Sequence, residues 1–145
     1  MKRSTPQHPE IVESKRVAVI STDTSINGII DESCAEFQYY FEPEFLRTVD
    51  DSIEYLNYEF PELNVVNCSD PELDVNRVLD AVSHDPWLHQ GSLVLVHDPD
   101  VSCVRTDHLR ELNLLAVITT GRLAAYFPRL LRILKTNEHI FYQRD

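Results

Sequence analysis

The chain has 145 residues, 43% of them apolar, and a formal net charge of −11. That length is one ordinary domain, and that apolar content suffices for a core; no apolar run approaches the roughly 20 residues that span a bilayer. The acidic balance argues against nonspecific nucleic-acid binding, which rewards Lys and Arg, so a protein that binds neither nucleic acid nor membrane is expected.

Residues 1–14 are polar and proline-bearing, with no apolar stretch of a secretory signal. A flexible arm is expected there, followed by one folded domain over 15–145, in the cytoplasm. Lys15-Arg-Val-Ala-Val-Ile20 is a short apolar run after a charged start, the pattern of a buried parallel strand. Ser21-Thr-Asp-Thr-Ser25 supplies turn and N-cap chemistry. Ile26, Ile29, Ile30 and Phe37 then share one helical face. Residues 38–42 are aromatic and β-prone, predicting a second strand that Pro43 ends, with Tyr39, Tyr40 and Phe41 along a sheet edge.

Val49-Asp-Asp-Ser opens a helix, its acids favoured at the positive end of the helix dipole. Ile53, Leu56, Asn57 and Phe60 predict its inner stripe, and Pro61 closes it. Residues 63–67 read as a third strand. A helix is predicted over 73–83, burying Leu73, Val78, Leu79 and Val82, with Asp85-Pro86 as its stop. Trp87 and Leu88 follow, either packed on the sheet or anchoring a partner. Strands are predicted over 93–96 and 114–118, with a short helix over 105–113. Leu130, Leu131 and Leu134 mark a last helix, with Pro128 in its first turn.

Strands that alternate with helices, and are apolar along their length, predict a parallel sheet covered on both faces. The fold class is therefore α/β, a three-layer α/β/α sandwich with a flavodoxin-like five-stranded sheet of order 2-1-3-4-5. Only 3 glycines occur, which excludes a Gly-rich phosphate loop. Gly28 and Gly91 read as local turn or packing residues. Cys34, Cys68 and Cys103 lack metal-type spacing and read as buried thiols. No cofactor, metal or enzyme activity is expected.

The segment Leu63-Asn-Val-Val-Asn67-Cys-Ser-Asp-Pro71-Glu-Leu-Asp74, continued to Asp85-Pro86-Trp87-Leu88, resembles the receiver domain of two-component response regulators. The resemblance covers residues 15–136. It aligns Asn67 with the phosphorylated aspartate, Ser21 and Thr22 with the two acids that hold magnesium, and His97 with the hydroxyl residue ending the fourth strand. Thr119, or the stretch toward Ala124, falls where the family carries a lysine, and Ala116 or Val117 where it carries an aromatic switch. An amide is no useful nucleophile toward phosphorus, and hydroxyls are poor sole ligands for a hard cation. The resemblance thus implies a degenerate, non-phosphorylatable pseudo-receiver that regulates a kinase-like or other signalling partner by binding.

Two other readings remain open. The altered pocket of Ser21, Thr22, Asn67 and His97, beside Cys68, could sense a small molecule or redox change. An unconventional acceptor in a phosphorelay is the other, and Asp23, Asp70 and Asp98 form a candidate cation cluster in loops at the strand ends. Residues 1–103 carry six basic and 20 acidic residues, net −14, whereas residues 104–145 carry net +3. That basic end supplies candidate partner contacts at Arg105, His108, Arg110, Arg122, Arg129 and Arg132, with Trp87 elsewhere. The resemblance places an output or homodimer face there, and the tail 136–145 is a further candidate contact. Any output is expected to pass through another protein.

Overall fold

A computed structural model of the chain describes residues 14–38, 40–84, 91–101 and 113–136, the side chains of 82–84 excepted. The N-terminal arm up to residue 13, Tyr39, the Asp85-Pro86 stop, Trp87, Leu88, Cys103, and Arg105, His108 and Arg110 with most of their predicted helix lie outside the described residues. So do residues 137–145 of the tail.

The described elements are β1 (Lys15–Ile20), α1 (Thr24–Ala35), β2 (Phe41–Leu46), α2 (Val49–Glu59), β3 (Leu63–Asn67), α3 (Val75–His84), β4 (Ser92–His97), β5 (Leu114–Thr119) and α4 (Leu123–Thr136). All four strand pairings are parallel, and the strand order is β2-β1-β3-β4-β5. This is the predicted three-layer arrangement. Strand side chains alternate between faces. Val17, Val19, Leu63, Val65, Val94, Val96 and Ile118 meet α1 and α4 in one core, where Ile30, Phe127 and Leu131 are fully buried. Ala18, Ile20, Val66, Leu93 and Leu95 meet α2 and α3 in the other, against Leu56, Val78 and Leu79. Each fully buried Leu or Phe there contributes about 1.5–3 kcal/mol.

The expected cap chemistry before α1 and the expected acids Asp50 and Asp51 in the first turn of α2 are both present, and α2 has in addition a cap not expected from the sequence. Asp23 caps α1, its carboxylate accepting the N–H groups of Ser25 and Ile26. Thr48 caps α2 through the N–H of Asp51, and Phe60 ends that helix in the left-handed region at φ 48°.

Several expectations need correction. Pro43 does not end β2 but lies inside it. The Tyr40 and Leu46 carbonyls accept the N–H groups of Lys15 and Ser21. Even-numbered residues of β2 therefore turn their backbone groups to β1, and Pro43 stands on the outward side, where no ladder bond needs its missing N–H. Phe41 opens the edge strand β2 and Tyr40 directly precedes it, as expected, but both side chains are buried in the α1–α4 core and are not exposed along the edge. The inner stripe of α2 is Ser52 and Leu56 with Val49, Ile53 and Tyr55 half-buried, while Asn57 and Phe60 are exposed. Gly28 occupies helix α1 rather than a turn. The last helix begins at Leu123, so Pro128 lies in its interior. The carbonyl that Pro128 cannot serve belongs to the exposed Ala124, where water can take the bond.

Candidate functional site

In a doubly wound parallel sheet, the carboxyl ends of the central strands form the crevice where ligands bind. Ser21 and Thr22 follow β1, Asn67 ends β3, His97 ends β4 and Thr119 ends β5. The register sets Ile20 beside Val66, Asn67 beside Val96, and His97 beside Thr119. All five predicted positions thus share one end of the sheet, but they do not form one cluster of contacts.

Ser21 and Asn67 meet directly. The Asn67 Nδ2 donates to Ser21 Oγ at 3.4 Å, and both residues are buried. Asn67 Oδ1 accepts the Ser69 N–H at 3.2 Å, and Ser21 Oγ accepts the Asp23 N–H at 3.1 Å. The Asn67 amide therefore works as a two-ended connector. Its nitrogen donates and its oxygen accepts, a pattern a carboxylate could not reproduce.

Thr22 is tied to a residue that the alignment did not place in the site. The Asp70 carboxylate is 6% exposed. It accepts the Thr22 N–H at 2.6 Å, the Thr22 hydroxyl at 2.8 and 2.9 Å, and the Glu72 N–H at 2.9 Å. Charge-assisted bonds of this kind are the strong ones. They clamp the loop after β1 to the loop after β3, so both loops reach the strand ends already occupied by each other. The sequence signal was an acid just before Pro71, where a side chain can bond its own backbone two residues on.

Asp23, Asp70 and Asp98 do not converge as a cation cluster. Asp23 caps α1, Asp70 holds Thr22, and Asp98 accepts the N–H of Asp100 at 3.0 Å. Among the described residues no group of three or more His, Cys, Asp or Glu side chains is placed to hold a metal ion. His97 is half-buried; its Nδ1 lies 3.9 Å from the Cys68 sulfur, which donates to the Val96 carbonyl at 3.1 Å. Cys34 is buried in the α1–α4 core, away from this end of the sheet; burial, aided by Asp31, pushes its thiol up to about 12.

The basic residues form a separate region. Arg122, Arg129 and Arg132 are exposed. Tyr126 lies between two of them, with the Arg122 guanidinium 5.8 Å and the Arg129 guanidinium 5.5 Å from its ring centre. Arg122 Nη1 also donates to Tyr126 Oη at 3.1 Å. Both arginines line a groove of about 670 Å³ between β5 and α4, and Arg132 stands outside its lining.

The fold and the placement of these residues define a flavodoxin-like α/β protein with a hydrogen-bonded polar group of side chains at the carboxyl end of its sheet. Solved structures of similar shape are response-regulator receiver domains. The chain is similar to the phosphorylated cyanobacterial phytochrome response regulator RcpA, at 21% identity over 89% of this chain and 94% of that one, with TM-score 0.60. The receiver domain of the sensor histidine kinase PA1611 from Pseudomonas aeruginosa PAO1, solved with magnesium in its active-site cleft, matches at 8% identity over 83% and 97%, with TM-score 0.67. The manganese-bound response regulator Rcp1 matches at 18% identity over 84% and 92%, with TM-score 0.62. No family model matches the chain, and no curated protein is significantly similar to it. The fold is thus that of receiver domains. No helix among the described residues is long and apolar enough to cross a membrane.

Proposed function

We propose that this chain is a pseudo-receiver: a signalling module on the receiver scaffold that works by contact with a partner protein and not by acyl-phosphate chemistry. The observation that carries this reading is the state of Asn67. It stands at the end of β3, buried, with both ends of its amide engaged by neutral groups. Acyl-phosphate formation needs a carboxylate nucleophile, a cation to neutralise the phosphoryl oxygens, and donors for the transition state. Here the residue aligned with the nucleophile is an amide, the alignment sets Ser21 and Thr22 where the acids would be, and Asp70, the one buried carboxylate among the described residues, already accepts from Thr22 and Glu72. A scaffold held this way presents a constant surface, which suits docking to a kinase-like or regulatory partner in the cytoplasm.

Incubation with magnesium and acetyl phosphate, followed by intact-mass measurement, tests the reading. The mass is expected to stay unchanged. A stable gain of one phosphoryl group, mapped to any aspartate, overturns it.

A further inference from the structure

The two edges of the sheet are built differently. On β2, Pro43 deletes a donor from the outward side, and the exposed Glu42 and Glu44 flank it. Proline and charge are how native edge strands resist further pairing. On β5, the opposite edge, the sequence is Leu-Leu-Ala-Val-Ile-Thr, with neither. The Leu93 N–H donates to the Asn113 carbonyl, and Leu95 lies beside Val117. In a parallel ladder this turns the Ala116 carbonyl and the Ile118 N–H to β4, and leaves the N–H and C=O of Val117 and Thr119 pointing outward. Among the described residues no strand pairs with that side.

The groove between β5 and α4 runs along this same edge. Val117 is 53% exposed, Ile133 51% and Tyr126 39%. Its charged groups are Arg122 and Arg129, and α4 carries no acidic residue. Apolar walls, two cations and a row of outward main-chain groups thus share one channel.

We propose that the β5 edge accepts an extended, acidic segment of a partner protein as a sixth strand of the sheet. Main-chain bonds to Val117 and Thr119 would set the register, as in other strand-addition complexes. An apolar side chain on one face packs against Tyr126 and Ile133. A carboxylate meets Arg122 and Arg129, and the Arg122–Tyr126 hydrogen bond holds one of these guanidiniums before binding, which lowers the cost of ordering it. A second copy of this chain is disfavoured as occupant, because it would bring its own Arg122 and Arg129 against the same pair. The inference stands whether or not acetyl phosphate modifies an aspartate of this chain, so it can fail independently of the pseudo-receiver reading.

The test uses the full chain and a labelled peptide of about nine residues that alternates valine with glutamate, and a matched peptide with lysine for glutamate. The glutamate peptide is expected to bind at least about tenfold more tightly. Its binding should slow amide exchange at Val117 and Thr119. Val117→Pro repeats on β5 the device found on β2 and should abolish binding while leaving both β4-facing groups in place. If that variant does not fold, Arg122→Glu with Arg129→Glu carries the test, by reversing the preference toward the lysine peptide. Equal binding of both peptides, no binding, no protection at Val117 and Thr119, or protection that arises only from self-association would each overturn the proposal.

Discussion

The Asp70 carboxylate and the Thr22 N–H lie 2.6 Å apart, closer than most neutral hydrogen bonds. Replacing Asp70 by Ala leaves the Thr22 and Glu72 N–H groups without their acceptor, and should lower stability by about 2–3 kcal/mol in urea denaturation. Thr22→Val keeps the backbone bond and loses only the hydroxyl, so it should cost about 1 kcal/mol. A larger loss in Thr22→Val than in Asp70→Ala would mean that the carboxylate is not the centre of the clamp. Asn67→Asp supplies a nucleophile, but among the described residues no group of three or more His, Cys, Asp or Glu side chains is placed to hold a cation beside it, so on the proposed reading acetyl phosphate is still expected to leave the mass unchanged. Cys34 makes a different prediction. Its thiol ionises near 9.0 when unfolded and near 12 when folded, chiefly because burial disfavours the thiolate. The folded form therefore holds its proton longer. Stability is intact below about 9 and falls as pH rises toward 12, and Tyr55, raised in the same direction chiefly by burial, adds to the fall. Cys34→Ala should flatten part of that alkaline slope in melts recorded across this window.

The elements owe their ends to a few residues whose neighbours decide the outcome. A Cβ built on Gly91, just before β4, would lie 2.5 Å from the Pro61 carbonyl oxygen and 2.7 Å from Asn64 Nδ2. Backbone and a buried amide must both move, so Gly91→Ala should lose about 1–3 kcal/mol. Gly28 lies within α1 with nothing inside 4 Å of such a Cβ. Gly28→Ala should instead gain about 0.5–1 kcal/mol, through helix propensity and a less flexible unfolded chain. Thermal or urea melts of the two variants check both signs. The pair shows why glycine in a sequence has no single meaning. Composition marked both as turn or packing residues, and only the neighbouring atoms separate a required close approach from a tolerated gap. Pro43 and Pro128 carry the same lesson. Pro43 reads as a strand end and Pro128 as a first-turn residue, yet an outward strand position and a solvent-facing helix carbonyl let each sit inside its element without the bond it cannot make.

The whole chain carries −11, with residues 1–103 at net −14 and the remainder at +3. Self-repulsion across the acidic part should make the protein more stable as salt screens it, a rise in melting temperature from low salt to about 0.5 M that circular dichroism can follow. A flat or falling response would show that the acids are locally balanced. The architecture was legible because alternation of apolar runs with amphipathic stretches is written in residue order, and parallel strands need helical crossovers to connect them. The strand order, the cap chemistry before α1 and the acids that open α2 could be read from that order; the Thr48 cap was not, and the site positions at the strand ends came from the resemblance to receiver domains. Contacts between segments far apart in the chain could not be read from it. Thr22 and Asp70 are 48 residues apart, and their carboxylate clamp forms only because β1 and β3 lie side by side. The outward groups of β5, and the groove that joins them to Tyr126 and Ile133, likewise follow from which side of each strand its neighbour takes. Local periodicity chooses the elements, while hydrogen bonds and burial between them choose which side chains meet.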